Sequence, residues 1–172
     1  MQWIAIGILA KTHGLKGEFK FNPRLDDAEF CQGLRHVRVG QNADEAEARE
    51  VQWVRGHGSR LILKLTTCNS IDSARELCGL SLFIRREDLP PLPPGEYYWF
   101  EIEGLSVYDE SGRYYGRITE ILATGSNDIY VVRDGGRELL LPVIEDVIKK
   151  VDPQAGKLIF HPIEGLIEDA SV

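Results

Sequence analysis

The sequence has no apolar run long enough to cross a bilayer. Its longest stretch without a charged or strongly polar residue covers residues 3–10, far short of the roughly 20 residues a membrane-spanning helix needs. The basic residues beside that stretch, Lys11 and Lys16, follow it, whereas a secretory signal carries its positive charges in front. No transmembrane helix, no signal peptide and no membrane partner are therefore expected, and a cytoplasmic location is.

Cysteine is scarce. Cys31, Cys68 and Cys78 are odd in number and form no C-x-x-C pair, which argues against a disulfide framework and a zinc ribbon and for three reduced, buried thiols. His13, His36, His57 and His161 are scattered, with no H-x-x-x-H pair and no cysteine at ligand spacing, so no metal site is expected. There is no G-x-S-x-G nucleophile turn and no G-x-x-x-x-G-K-[ST] phosphate loop. His57 stands between Gly56 and Gly58 beside Ser59, which reads as a polar residue in a glycine-shaped turn rather than as part of a triad. The expectation is a protein with no catalytic residues and no cofactor.

What is present is an ordinary globular composition, 43% hydrophobic and 27% charged over 172 residues, with a net charge of -7. The charge is unevenly spread. Residues 1–90 hold 13 Lys and Arg against 12 Asp and Glu, a net +1, while residues 91–172 hold 7 against 15, a net -8. At this boundary lies a stretch with prolines at 90, 91, 93 and 94, which removes backbone donors, fixes φ and excludes a helix or central strand. The domain assignment that follows is 1–87, a proline-rich linker 88–95, and 96–172.

Both halves read as mainly β, each with about one short helix. In the first, strands are expected at 3–9, 18–21, 37–39, 50–54, 60–65 and 80–84, separated by glycines. Short strands at this spacing point to a small antiparallel barrel, whose closure removes exposed edges. One helix interrupts it: Asn69 or Ser70 caps it, Ile71, Ala74, Leu77 and Cys78 recur at helical spacing, and Gly79 ends it. In the second half strands are expected at 99–102, 105–108, 115–122, 129–132, 139–141 and 158–160, hairpin turns at 109–112 and 134–136, and a short helix or helical turn over 143–150.

Two segments carry more than bulk composition. Lys11, Thr12, His13, Gly14, Leu15, Lys16, Gly17 and Glu18 read as a turn between two strands, and with Lys20 and Arg24 they give residues 1–25 four bases against one acid. A glycine-rich basic loop of this kind can bring backbone amides and lysines to phosphates. The competing reading is that Gly14 and Gly17 only shape the turn and the lysines stay hydrated. The second segment is Tyr97, Tyr98, Trp99 and Phe100, four consecutive aromatics after the linker. As a strand it would send Tyr97 and Trp99 to one face and Tyr98 and Phe100 to the other, leaving one pair for an interface or for the seam between domains.

Taken in order, three motifs resemble the RimM family of bacterial ribosome maturation factors. They are His13-Gly-Leu-Lys-Gly-Glu18, the L-P-P-L-P-P-G-E-Y-Y stretch ending at Tyr98, and Thr124-Gly-Ser-Asn-Asp-Ile-Tyr-Val-Val132; the segment from Glu138 to Ile144 fits as well. Ser126 and Leu9 depart slightly from the family pattern. The resemblance spans nearly the whole chain and implies an all-β fold of two small barrels, the first like the second domain of translation factors, the second a PRC-barrel. It further implies a non-enzymatic factor that binds the free small ribosomal subunit, assists assembly of its head and processing of its rRNA, and contacts the small-subunit ribosomal protein numbered nineteen. Tyr97 and Tyr98 fall on the family's subunit-binding tyrosines, and Lys11, His13, Gly14, Lys16, Gly17 and Lys20 form the candidate RNA-contacting loop. A monomer is the simplest expectation. An RNA-processing enzyme and a protein-only adaptor are the alternatives.

Overall fold

The computed structural model describes residues 2–166. The chain divides into two compact units between Pro91 and Leu92, and residues 90–93 belong to neither helix nor strand.

The first unit is a closed barrel of antiparallel strands: β1 (Trp3–His13), β2 (Glu18–Pro23), β3 (His36–Gly40), β4 (Glu47–His57), β5 (Arg60–Leu65) and β6 (Ser81–Arg85), in the order β1-β2-β5-β4-β3-β6. Alternation along the strands fills it. Ile4, Ile6 and Leu9 of β1, Phe19 and Phe21 of β2, and Leu61, Leu63 and Leu65 of β5 are buried, and removing such side chains from water is the main stabilising term. Curvature comes from bulges between Ala5 and Gly7, Leu9 and Lys11, and Val51 and Trp53. Gly7 is needed where it stands, since a Cβ there would lie 2.5 Å from the Phe21 ring.

Three details differ from the sequence reading. β1 runs four residues further than residue 9, because the bulge after Leu9 restores the in-out alternation for Thr12 and His13. A helix absent from the reading, α1 (Ala28–Gln32), follows β2; Asp27 caps it by accepting the Phe30 amide at 2.9 Å. The expected helix forms as α2 (Ile71–Arg75), with Ser70 and Ser73 exchanging capping hydrogen bonds, but it loosens into turns before Gly79, whose φ is +86°. Ala74 is its buried residue, and the helix packs on β1 and β2. Of the thiols, Cys31 and Cys68 are buried, whereas Cys78 is half-buried. Burial, with Asp27 nearby, pushes the Cys31 thiol up to about 11.

The second unit is a six-stranded sheet: β7 (Ser106–Asp109), β8 (Tyr114–Ala123), β9 (Asp128–Asp134), β10 (Arg137–Pro142), β11 (Ile148–Asp152) and β12 (Lys157–Phe160), in the order β10-β9-β8-β7-β12-β11. β12 joins β7 in the one parallel pairing among the described ladders. The core gathers Ile102, Leu105, Val107, Ile118, Leu139, Leu141, Leu158 and Phe160. The β7–β8 turn is organised by Asp109. One of its oxygens accepts the Ser111 hydroxyl at 2.6 Å and the Ser111 and Arg113 amides, and the other accepts the Tyr115 hydroxyl at 3.0 Å. Led by the Ser111 hydroxyl, these donors hold the carboxyl below its ordinary value, while burial and then the Asp109 bond raise Tyr115.

One expectation fails in this unit and another holds only in part. Residues 99–102 are not a strand but a single helical turn, α3 (Trp99–Ile102): the Glu101 carboxylate accepts the Tyr98 amide at 2.9 Å, the Glu103 amide reaches the Trp99 carbonyl, and Gly104 at φ +92° ends the turn. Of the short helix or helical turn expected over 143–150, only a turn before Ile148 forms, and β11 takes the rest. The Val147 and Ile148 amides both donate to the Ile144 carbonyl, after which β-branched residues pair with β12.

Candidate functional site

The basic segment of the first unit is narrower as a turn than the sequence implies. Lys11, Thr12 and His13 end β1 and Glu18 begins β2, so only residues 14–17 form the turn, with Gly14 at φ +69° and Gly17 at φ +86°. Leu15, 78% exposed, and Lys16 stand at its tip. The turn is held in place from below. A Cβ at Gly17 would meet the Cys68 carbonyl oxygen at 2.4 Å, so the backbones touch there, and only glycine allows it. The same carbonyl accepts a hydrogen bond from Lys64, a lysine only 7% exposed, which also donates to the Leu65 carbonyl at 2.9 Å and to Asn69 Oδ1 at 3.1 Å. All three ammonium donors of Lys64 are thereby used to shape the segment against which Gly17 rests.

The strand register then places charges together. Lys11 stands directly opposite Lys20, and His13 opposite Glu18. Both lysines are exposed, and like charges across a ladder repel. Among the described residues neither they nor Lys16 forms an ion pair. This is a face on which an anion lowers the electrostatic energy, and phosphate oxygens suit it.

The register continues the face where sequence reasoning did not look. Lys20 pairs with Ile62 of β5, and Ile62 with Arg55 of β4. The Arg55 guanidinium lies 4.1 Å from the ring centroid of Trp53, two residues earlier on the same strand. The only hint in the sequence was the W-x-R spacing, which puts both side chains on one face of a strand.

The aromatic segment lies in the second unit. Tyr97 is 37% exposed and its hydroxyl sits 3.5 Å from the Val151 carbonyl. Tyr98, Trp99 and Phe100 are half-buried; Tyr98 and Phe100 stack at 5.5 Å with planes 9° apart, and Trp99 meets both edge-on. Tyr98 and Phe100 are thus together, as a strand would also have placed them, but Trp99 joins them in one cluster instead of taking the opposite face. No group of His, Cys, Asp and Glu among the described residues is arranged to hold a metal.

The RimM N-terminal domain model matches residues 4–89, and the RimM PRC barrel domain model matches residues 99–166. The chain belongs to the RimM family. It is 36% identical over 165 residues to the ribosome maturation factor RimM of Geotalea uraniireducens, covering 96% of this chain and 95% of that protein. It is 38% identical over 165 residues to that of Geobacter metallireducens, with the same coverage of 96% and 95%. Among solved structures it is similar to a 16S ribosomal RNA processing protein RimM from Pseudomonas aeruginosa, with 29% identity, 94% of this chain and 98% of that chain covered, and a TM-score of 0.48. Membership fixes both halves of the fold as RimM-type, the closed barrel N-terminal in the chain and the PRC barrel C-terminal.

Proposed function

We propose that the chain is a ribosome maturation factor that works by binding, not by covalent chemistry. It engages the free small ribosomal subunit in the cytoplasm, favours a productive arrangement of the head rRNA, and leaves when that surface is complete. The observation that carries this reading is RimM-family membership in both units, with relatives bearing that name across almost their whole length.

The physical chemistry fits the role. Residues 91–172, with 7 bases against 15 acids, suit a cationic client, and the family's association with the small-subunit ribosomal protein numbered nineteen supplies one. Tyr97 and Tyr98 are the tyrosines of that interface. The turn bearing Lys11, His13, Gly14, Lys16, Gly17 and Lys20 meets rRNA phosphates, because its opposed lysines gain most from an anion. A factor that binds the assembled arrangement better than the unassembled one by ~1.4 kcal/mol shifts their ratio tenfold, which suffices for a chaperone. The test is sedimentation of the purified chain with free small subunits and with joined ribosomes. Retention on the free subunits alone supports the reading; equal retention on both contradicts it.

A further inference from the structure

Two neighbouring cross-strand rows over β1, β2, β5 and β4 are mostly cationic, the exposed acids of β4, Glu47 and Glu50, lying toward the other end of that strand. The first row is Lys11, Lys20, Ile62, Arg55, with Arg60 opposite His57 at one margin. In the next row Glu18 stands between His13 and Lys64 and is the one acid of these two rows. Lys11, Lys20, Arg55 and Arg60 are exposed, and none forms an ion pair among the described residues. A barrel needs no such arrangement for its own stability: opposed lysines weaken the ladder, and surface carboxylates between them would have relieved it.

Arg55 differs from the lysines in being oriented. Its guanidinium carbon lies 4.1 Å from the Trp53 ring centroid, a contact that restrains the side chain and lowers the entropy cost of binding, while the residue as a whole is exposed and open to a ligand. A guanidinium plane can stack on a base, and its edge can grip a phosphate with two parallel hydrogen bonds. Half-buried Ile62 lies between Lys20 and Arg55 as a flat apolar step. With neighbouring strands about 4.8 Å apart, the row spans on the order of 14 Å. Cations repeated along a sheet face beside an aromatic platform match a polyanion whose charges also repeat and whose bases offer flat surfaces.

We propose that this face is a track for the ribosomal RNA backbone, with Lys11 and Lys20 as its near contacts and Arg55, seated on Trp53, as its far contact. The proposal rests on the reading that the basic turn meets rRNA and extends that interface across the neighbouring strands to residues outside the turn. An acidic protein segment is the competing occupant: it would use the cations but has no bases to stack on Arg55.

The experiment measures binding of the full chain to purified free small subunits over a range of potassium chloride concentrations. Arg55→Gln and Lys20→Gln are each expected to weaken binding and to lower the slope of log K against log salt by roughly one unit. Arg55→Lys is expected to keep the slope while weakening affinity, which separates the effect of charge from that of stacking and also serves if the glutamine variant folds poorly. Ultraviolet crosslinking of the wild-type complex is expected to join the peptide containing Trp53 and Arg55 to rRNA. A slope altered by Lys20→Gln but not by Arg55→Gln overturns the track and leaves the turn as the RNA-binding element. No change from either variant overturns both, and a crosslink from that peptide to a ribosomal protein overturns the choice of RNA.

Discussion

Gly17 rests against the carbonyl of Cys68 so closely that a Cβ would lie 2.4 Å from the oxygen and 2.7 Å from the carbon. This approach, with a φ of +86°, ties the position of the basic turn to the segment after β5. Gly14, at φ +69°, has open space around its would-be Cβ. The two glycines of one motif therefore have separable roles. Gly14→Ala should destabilise by about 1 kcal/mol, the left-handed backbone penalty alone. Gly17→Ala should destabilise by roughly 3 kcal/mol or more, because backbone must move as well. Urea denaturation of the two variants checks this, and equal effects would refute the close approach.

Lys64 is the second support of the turn. Lys64→Met keeps the apolar stem and removes the ammonium, leaving the Leu65 and Cys68 carbonyls and Asn69 without their shared donor. The expected destabilisation is about 2–3 kcal/mol, read from the denaturation midpoint. Faster proteolytic cleavage between residues 65 and 70 should accompany it.

Asp109 makes the second unit sensitive to acid. Its carboxyl is held below the ordinary value of 3.8 by the Ser111 hydroxyl first and then by the Arg113 amide, the Tyr115 hydroxyl and the Ser111 amide. A depressed carboxylate contributes stability that is fully present above its unfolded value and is lost as pH falls through the folded one. The stability gap between wild type and Asp109→Asn should therefore be constant near neutral pH and shrink below about pH 4. Thermal melts of both proteins at pH 7 and pH 3 measure it; a gap that widens on acidification would be the wrong sign.

Tyr97 projects more than its neighbours, while Tyr98 belongs to the cluster with Trp99 and Phe100. Tyr97→Ala should weaken association with small subunits and shift the melting temperature by less than about 6 °C. Tyr98→Ala removes a ring from that cluster and should lower both. A melt must accompany each sedimentation assay, and a Tyr97→Ala variant that melts early yet binds normally would show a structural role only.

The barrel was legible in the sequence because β1 opens on an Ile-rich apolar run, apolar residues recur at every second position of β2 and in β5, and the Ser70 cap stood in front of a helical spacing. The failures have local causes. Trp, Phe and Ile favour strands, so residues 99–102 read as one; the deciding factor was the Glu101 carboxylate reaching back to the Tyr98 amide, a single capping bond that propensity does not see. Residues 143–150 carry helix-compatible spacing, but hairpin pairing of β11 with β12 takes over from Ile148 onward. The lysines of the turn were visible from composition. The row reaching Arg55 was not, because register across β2, β5 and β4 joins residues 35 positions apart.

In the proposed function this protein holds an RNA-bearing surface through the basic face of its first unit while the second unit grips a protein. The most direct measurement is the salt dependence of full-chain binding to free small subunits, for wild type beside a variant in which Lys11, Lys16 and Lys20 are all replaced by serine. Weaker binding is expected, with a slope shallower by about one unit for each phosphate that is no longer neutralised. Unchanged affinity and an unchanged slope would contradict it and leave a protein-only adaptor.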